Sequence, residues 1–418
     1  MGSAAPWATW SIAVAATAGV LFRPFAWPEF VWAVAGAVLL VLFGLLPLHD
    51  ALIGASRGTD VYLFLTGMML LSELARREGL FDWIAVHAAR LSRGSAVRLF
   101  TLIYAVGTVV TVFLSNDATA VVLTPAVAAV VRVARAEKPL PYLFVCAFIA
   151  NAASFVLPIS NPANLVIYGR HMPPLTQWLI QYAASSAVSI LATYAALRLT
   201  QARSLSAVVS ADIESLPLTR GGRLAGFGIA ATAIVLLTAS YFDVALGLPT
   251  FAAGLVTTVI VLLFVGHRPF NLLRGISWGI LPLVAGLFVL IEALQRIGVT
   301  DVIAGLINGL LQHSQALATW VVGIVLAFGC NLVNNLPAGL LAGRVVSSVP
   351  MPEHVHSAVL IGVDLGPNLS VTGSLATILW LAALRREGHT VSTLAFLRLG
   401  AVVMPPALIL ALAALFAS

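Results

Sequence analysis

Two aspartates, Asp117 and Asp364, stand inside strongly apolar stretches of the sequence. A carboxylate within a membrane segment is costly and is by default a candidate carrier of a proton or an ion. Because desolvation favours the neutral acid, either side chain could load a proton on one side of a membrane and release it on the other. Each also has a structural alternative: Asp117 could cap a helix, and Asp364 could hydrogen-bond to a broken helix.

Both aspartates belong to polar breaks that interrupt apolar runs, and the sequence has four such breaks. They are Ser115 to Thr119, Leu157 to Asn164, Asn334 to Gly339, and Asp364 to Ser374. Each combines a helix-disrupting residue with small amide or hydroxyl side chains, which can bind a solute or satisfy the backbone groups that the break exposes. We predict one central binding site, whose candidate residues besides the aspartates are Ser115, Asn116, Thr119, Ser160, Asn161, Asn164, Asn334, Asn335, Asn368, Ser370, Thr372, Gly373 and Ser374.

Two further acids and two cysteines call for a structural interpretation. Glu73 and Glu292 lie near helix ends, close to Arg76, Arg77 and Arg296, which favours ordinary ion pairing at the membrane surface. Cys146 and Cys330 lie in apolar runs and have neither a disulfide framework nor metal-ligand spacing. Cys330 could in principle offer a thiol to a soft element, but packing is the better interpretation. We predict no metal site and no cofactor.

The composition indicates whether these residues lie in a membrane or in a water-soluble domain. The chain has 418 residues, of which 60% are hydrophobic and 9% charged, and its mean hydropathy is +1.02. Soluble domains carry about 25% charged residues, so a water-soluble fold is excluded and the chain is one membrane domain. The formal charge of +6 comes from basic residues beside apolar runs, a pattern of membrane topology rather than of nucleic-acid binding.

The chain contains an internal repeat. Gly67, Glu73, Gly79 and Asp82 recur as Gly286, Glu292, Gly298 and Asp301, each 219 positions later, and Asn116 recurs as Asn335. Two halves therefore share one plan.

Each half is predicted to contain five membrane-spanning helices and one re-entrant hairpin, whose tip stops inside the membrane. In the first half we expect helices near 7–24, 29–47, 60–78, 142–170 and 176–199, an amphipathic stretch near 82–92, and a hairpin with arms near 97–114 and 118–134. In the second half we expect helices near 223–241, 249–266, 276–295, 354–384 and 393–416, and a hairpin near 315–348.

An odd number of spans makes the two halves face opposite ways, and the positive-inside rule gives an independent test. With the 82–92 stretch in the cytoplasm, four of the 22 Lys and Arg residues lie outside, namely Arg57, Arg170, Arg296 and Arg344. An inverted pair of repeats predicts this asymmetry. The domains are then a first inverted repeat at 1–199 with its hairpin at about 97–134, a cytoplasmic linker at 200–222, and a second repeat at 223–418 with its hairpin at about 315–348. Both termini should be extracytoplasmic.

At the breaks the sequence resembles the arsenite efflux carriers of the arsenical-pump membrane protein family, within the ion transporter superfamily. The resemblance covers nearly the whole chain. Its most specific segments are Asn116-Asp117-Ala118 through Leu123-Thr124-Pro125, Ser160-Asn161 with Asn164, Asn334-Asn335-Leu336-Pro337, and Asp364-Leu365-Gly366-Pro367 through Gly373-Ser374-Leu375-Ala376-Thr377 with Leu379-Trp380.

The resemblance implies a multi-pass secondary transporter of the bacterial plasma membrane. It would export arsenite and antimonite, as neutral trihydroxy acids, in exchange for protons, sometimes together with an ATPase subunit. It also implies an all-α elevator-type carrier in which the hairpins and the broken helices move against a scaffold that makes a homodimer contact. Asp117 and Asp364 would couple the protons.

The absence of Arg and Lys from the four breaks suits a neutral solute and counts against carriers of di- and tricarboxylates. Two positions depart from the family pattern. Pro162 replaces the aliphatic residue expected after Ser160-Asn161, and Asn368 stands where relatives can have a basic residue.

Several other functions compete with this interpretation. A sodium/proton antiporter or another anion carrier could use the same scaffold, and a channel is a further alternative. An intramembrane hydrolase lacks a His near the breaks to activate a Ser nucleophile. An aspartyl protease would need two acids in equivalent places, whereas Asp117 and Asp364 occupy non-equivalent breaks.

Overall fold

The computed structural model describes residues 4–169, 172–206, 208–266 and 269–417. Arg170, one of the arginines predicted to lie outside, falls beyond these ranges. The described residues form helices and turns, with one isolated bridge between Ser95 and Val208 as the β-type pairing. The predicted all-α class is therefore confirmed for the described part of the chain.

The described residues of the first half form eleven α-helices, two 3₁₀ turns and one π-helical segment at 119–123. The α-helices are α1 (Ala4–Phe22), α2 (Glu29–Leu42), α3 (Leu48–Ser56), α4 (Thr59–Arg77), α5 (Leu80–Leu91), α6 (Ala96–Phe113), α7 (Asn116–Ala118), α8 (Thr124–Val133), α9 (Leu140–Ala152), α10 (Pro162–Tyr168) and α11 (Leu175–Thr200). The 3₁₀ turns are Pro24–Ala26 and Pro158–Ser160.

After a third 3₁₀ turn (Ala202–Ser204), the second half repeats this order. Its helices are α12 (Arg220–Tyr241), α13 (Gly247–Val265), α14 (Pro269–Gly275), α15 (Ile280–Arg296), α16 (Val299–His313), α17 (Gln315–Val333), α18 (Asn335–Ser348), α19 (Glu353–Leu365), α20 (Leu375–Arg386) and α21 (Thr393–Ala414). The 3₁₀ turns Gly366–Asn368 and Val371–Gly373 lie between α19 and α20.

Two glycines show why the repeated positions recur in the sequence. Gly79 and Gly298 each precede a helix, α5 and α16, with φ of 71° and 84°. A side chain is strained in this left-handed conformation, whereas glycine adopts it freely. The matched glycines therefore make the same sharp turn in both halves.

The halves also pack on each other in a reciprocal way. Helix α4 packs on α13 of the second half, and its equivalent α15 packs on α2 of the first half. A Cβ at Gly67 would overlap the backbone of Thr250, and one at Gly286 would overlap the backbone of Ala33. Small residues allow such close helix contacts in membranes. The repeat thus has a structural counterpart, while the opposite orientation of the halves stays a prediction.

All four predicted breaks are present. The chain leaves helical geometry between α6 and α7, between α9 and α10, between α17 and α18, and between α19 and α20. Three elements were missed: α3 and α14, which are short and begin beside prolines, and α16, the equivalent of the predicted amphipathic stretch at 82–92.

Seven described helices are long and apolar enough to cross a membrane, and the bent pair of α14 and α15 would make an eighth span. Three of the seven, Ala96–Phe113, Asn116–Val133 and Gln315–Val333, are arms of the predicted hairpins. The broken crossings α9–α10 and α19–α20 are divided into short helices. The structure therefore supports a polytopic membrane protein, and the count of ten spans and two hairpins stays a prediction.

Segments that the charge pattern assigns to one side of the membrane contact each other. Val209 and Ser210 donate backbone hydrogen bonds to the carbonyls of Gly94 and Ala134, which follow α5 and α8. At the other predicted face, Arg57 and Arg344 share one acid, Glu292. Segments assigned to the same side by charge are thus in contact with each other.

The broken helices form the centre of the molecule. Every residue from Pro141 to Ala152 in α9 is buried, as is every residue from Ser357 to Leu365 in α19. Both helices are enclosed by protein, so polar groups here must find partners within the chain.

Candidate functional site

The first hairpin turns at Ser115, between α6 and α7. The Ser115 hydroxyl accepts a hydrogen bond from the backbone N–H of Ala118 at 3.3 Å and caps α7. The hydroxyls of Thr111 and Thr119 lie 2.8 Å apart across the turn, which requires the chain to fold back. Thr119, a predicted solute contact, is fully buried in this contact. It begins the π-helical turn at 119–123, a feature often found at functional sites.

The second hairpin turns at Asn334, which has φ of 74°. Asparagine tolerates this conformation better than most residues because its side chain bonds locally. Its carbonyl oxygen accepts the Leu336 N–H at 3.3 Å, and its amide donates to the Thr372 carbonyl at 3.2 Å. Asn334 therefore shapes the turn and joins it to the fourth break.

In both halves a hydroxyl ties the break to the last turn of the hairpin arm. Ser160 donates to the carbonyl of Val112 at 3.0 Å, and Thr372 donates to the carbonyl of Asn331 at 2.9 Å. The acceptors Val112 and Asn331 are 219 positions apart and so match in the repeat, whereas the donors come from neighbouring rather than matched positions of the two breaks. Each broken helix is thereby fastened to the hairpin of its own half.

Asp364 joins the two broken helices. Its Oδ1 accepts a hydrogen bond from the Asn161 amide and its Oδ2 one from the Ser154 hydroxyl, both at 2.8 Å. The side chain is fully buried. Asn161 also caps α10 by accepting the Ala163 N–H at 3.0 Å. Asp364 therefore makes hydrogen bonds to a broken helix, and its predicted role in proton coupling stays a prediction.

Asn368 makes a second cross-link between the same elements. Its carbonyl oxygen accepts from the Asn151 amide at 3.0 Å, and its own amide donates to the Phe148 carbonyl at 3.0 Å. Both polar ends of this predicted solute contact are thus bound to protein, and it is fully buried.

Asn331 organises the fourth break. Its amide donates to the carbonyls of Ala327 and Gly366 at 2.8 and 3.1 Å, and its carbonyl oxygen accepts from Ser370 at 2.7 Å. A Cβ at Gly373 would lie 2.6 Å from that oxygen, so glycine permits the close approach. Ser370 and Gly373 are hence placed around Asn331.

Two more predicted residues serve the backbone. Asn164 donates to the Ser154 carbonyl at 2.9 Å, and its Oδ1 is buried without a partner among the described residues. Ser374 caps α20 by accepting the Thr377 N–H at 3.1 Å. These hydrogen bonds satisfy groups that the breaks would otherwise leave unpaired.

The parts meet at a small central cavity of about 30 Å³. The hairpin tips, the third break, the start of α20 and the helices α4 and α15 all contribute to its wall. The lining residues are Leu65, Asn116, Asp117, Asn161, Pro162, Ile280, Val284, Asn335, Leu336, Leu375 and Ala376. Asn116 and Asn335 of the hairpins and Asn161 of the third break thus line one space. The Asn116 carbonyl oxygen accepts the Asp117 N–H at 2.9 Å, and Asn161 is bound to Asp364 and to the Ala163 N–H.

A second cavity of about 80 Å³, called the Glu73 cavity below, adjoins the first. Asp117, Leu65, Pro162 and Ile280 line both. The Asp117 carboxylate accepts no hydrogen bond from a described side chain, unlike that of Asp364. The two aspartates that appear alike in the sequence are therefore different in the structure: Asp117 faces open space and Asp364 is enclosed.

Both cavities are free of basic side chains in the described part of the chain. Asp117 is the acid of the central cavity, and Glu73 joins it in the Glu73 cavity. Glu73 accepts from Arg76 and Arg77 at 2.7 Å, as the sequence predicted. The arrangement offers hydrogen-bonding groups and a negative charge, which suits a neutral polyhydroxyl solute better than an anion.

One predicted ion pair is wrong. Arg296 does not bind Glu292; it pairs with Asp50 at 2.6 Å. Glu292 accepts instead from Arg57 and, at 3.5 Å, from Arg344 on α18. The prediction failed because Arg57 and Arg344, from other segments of the chain, lie closer to Glu292 than Arg296 does, although Arg296 is only one turn away on the same helix.

Three polar residues of the network were missed by the sequence prediction, namely Asn151, Ser154 and Asn331. Each lies within about two turns of a predicted break, which was the available signal. The described residues include no group of three or more His, Cys, Asp and Glu suited to hold a metal ion, and Cys146 and Cys330 are buried free thiols.

The chain is similar to known membrane transporters over most of its length. A family model described as citrate transporter matches residues 16–364. The arsenical pump membrane protein of Yersinia enterocolitica is 31% identical over 83% of this chain and 84% of its own length. The protein of the same name from Escherichia coli is 29% identical over 91% of both chains.

The fold has a counterpart among solved structures. The YdaH transporter of Alcanivorax borkumensis superimposes with a TM-score of 0.56 at 14% sequence identity, covering 87% of this chain and 86% of that one. At this identity the likeness concerns the fold alone.

Proposed function

The chain belongs to the family of arsenical pump membrane proteins, which are membrane transporters and not enzymes, and we propose that it exports arsenite and antimonite in exchange for protons. The solutes are the neutral trihydroxy acids of trivalent arsenic and antimony. The names of the relatives support arsenic as the transported element, and the chemistry of the cavities supports the neutral form.

One observation carries the proposal: amide groups and a single free carboxylate face a cavity without basic side chains. A trihydroxy acid both donates and accepts hydrogen bonds, so the amides of Asn116 and Asn335 and the second N–H of the Asn161 amide can bind it without an Arg or Lys. An anionic solute would meet the negative charge of Asp117 with no guanidinium or ammonium group to offset it.

Asp117 is the proposed coupling residue. A carboxylate beside the solute can bind either a proton or, when ionised, the hydroxyl groups of arsenite. Mutually exclusive occupancy of one site would couple export of the solute to entry of protons. Asp364 was expected to share this role, but it could do so only if its bonds to Ser154 and Asn161 rearranged.

The proposed motion is of the elevator type. The tethers from Ser160 to Val112 and from Thr372 to Asn331 support movement of hairpins and broken helices as one body. The remaining helices would form a scaffold and a homodimer contact in the bacterial plasma membrane, with both termini outside. An ATPase subunit is a further predicted partner. Crosslinks that fix a hairpin to the scaffold and leave transport intact would contradict the motion.

A second candidate function is transport of citrate or a related carboxylate, which the description of the family model favours. The site offers no guanidinium to bind carboxylates, and the described basic residues near the pathway are engaged by acids, as Arg57 and Arg344 are by Glu292. We therefore rank this function second.

Uptake into everted membrane vesicles distinguishes the candidates. We expect arsenite to accumulate when a proton gradient, acid inside, is imposed, with no dependence on Na⁺ and no competition from citrate. Vesicles without the protein are the control. Citrate accumulation without arsenite movement would favour the second candidate, and Na⁺-driven proton flux alone would favour a sodium/proton antiporter.

A further inference from the structure

The Glu73 cavity is lined by the unpaired aspartate and also by residues at the protein surface. Its inner end is formed by Ser115, Asp117 and Pro162, and its outer end by Gly275 and Ser277, which are both exposed. With a volume of about 80 Å³ the cavity has room for several water molecules. Ser72 and Glu73 also lie on its wall.

Glu73 is held in a fixed position on this wall. Its side chain is 7% exposed, and its oxygens accept hydrogen bonds from Arg76 and Arg77 at 2.7 Å. A Cβ at Gly275 would overlap the Glu73 carboxylate, so glycine lets α14 close over it. The carboxylate is thereby kept close to the outer end of the cavity.

The second half carries a different arrangement at the equivalent place. Leu336 occupies the position that matches Asp117, and Glu292 matches Glu73. The cavity there is about 610 Å³ and is lined by Arg57 and Arg344, which both bind Glu292. The repeat thus provides a natural comparison: one glutamate shares a cavity with a free aspartate, and its equivalent does not.

We propose that Glu73 is the residue through which protons leave Asp117 toward the predicted cytoplasmic face. This inference rests on the proposed proton exchange. The O–H bond of protonated Asp117 breaks toward a cavity water, and the excess proton passes along water to the Glu73 carboxylate or past it to solvent. The charge of Glu73 attracts the hydrated proton, and Arg76 and Arg77 hold its carboxylate in place on the cavity wall. Asp117 is left ionised and ready to bind solute.

The test separates proton release from the movement of the solute. In proteoliposomes, Glu73→Gln should reduce proton-driven arsenite transport about tenfold, whereas arsenite–arsenite exchange, which needs no proton release, should stay within about twofold of wild type. Glu73→Asp should restore part of the driven transport. Glu292→Gln is the matched control and should change the two rates in parallel.

An equal loss of both rates in Glu73→Gln would indicate a merely structural role and would overturn the proposal, as would an unchanged driven rate. If the wild-type protein moved arsenite without protons, the proposed function would fail rather than this assignment of the cavity.

Labelling of an introduced cysteine in the cavity provides a second test that needs no arsenite. In a chain with Cys146 and Cys330 replaced by Ala, Ser72→Cys should react with an impermeant maleimide in everted vesicles. Ile291→Cys, at the matched position in the second half, is buried and should not react. A Ser72→Cys that stays unlabelled from that face would contradict a water-filled route.

Discussion

Asn161 donates a hydrogen bond of 2.8 Å to Asp364, and this bond fastens the two broken helices to each other at their breaks. The carboxylate has its second oxygen on Ser154. Both donors are fully or almost fully buried, so the three side chains depend on one another for satisfied hydrogen bonds.

Asp364→Ala should destabilise the protein. It leaves the Asn161 amide and the Ser154 hydroxyl without their acceptor, and an unsatisfied buried group costs about 1–3 kcal/mol. The unfolding temperature in detergent should fall clearly, and Asp364→Asn should also lose transport while still inserting into the membrane. Ser154→Ala removes one of the two bonds and should have a smaller effect. Wild-type stability of Asp364→Ala would contradict the role of Asp364 as a cross-link.

Asp117→Asn, unlike Asp364→Ala, should reduce transport without reducing stability. Because no described side chain donates to this carboxylate, its replacement by an amide should leave the unfolding temperature unchanged. Proton-driven arsenite transport should fall on the order of 100-fold or more, as expected when a group that exchanges a proton is removed. Transport assays and thermal melts of the same preparation measure both. Normal pumping would mean that another residue couples the proton.

Gly67→Ala and Gly286→Ala should be destabilising to a similar extent. Each added methyl meets backbone atoms of a helix in the other half, near Thr250 and Ala33, and overpacking costs about 1–3 kcal/mol. Gly305→Ala is the control, since a Cβ there meets nothing within 4 Å. Thermal stability of the three variants is the measurement. A neutral result at Gly67 or Gly286 would contradict the reciprocal packing of the halves.

Asn331→Ala should weaken solute binding more than Ser160→Ala does. The first change removes three side-chain hydrogen bonds that hold the fourth break, whereas the second removes the tether of the third break to Val112. The arsenite concentration for half-maximal transport should therefore rise more in Asn331→Ala. Equal half-maximal arsenite concentrations in the two variants would show that the three side-chain hydrogen bonds of Asn331 do not position the site.

The sequence predicted the breaks because they carry explicit signals. Proline, glycine and clustered amides at Leu157 to Asn164 and at Asp364 to Ser374 cannot continue an apolar helix. Gly67 and Gly286 are a matched pair, 219 positions apart, and helped to predict the repeat. Glycine recurs there because the close helix packing that requires it recurs in both halves.

The roles of individual polar residues could not be predicted in the same way. Asp117 and Asp364 are both acids at breaks in apolar runs, and only tertiary packing brings donors to one and open space to the other. Asn331 and Asn151 are single amides in apolar helices, and such positions do not reveal which neighbour they face. Short helices such as α3 and α14 were missed because 9 and 7 residues give too little periodicity.

Asp117 is proposed to exchange a proton for a neutral arsenite molecule. The most direct measurement is the pH inside liposomes that contain the purified protein and a trapped pH indicator, followed after arsenite is added outside. Inward movement of arsenite should drive protons out through the wild-type protein and raise the internal pH, and Asp117→Asn should show no change. An arsenite-driven pH change of wild-type size in Asp117→Asn, or none in the wild type, would contradict proton exchange at Asp117.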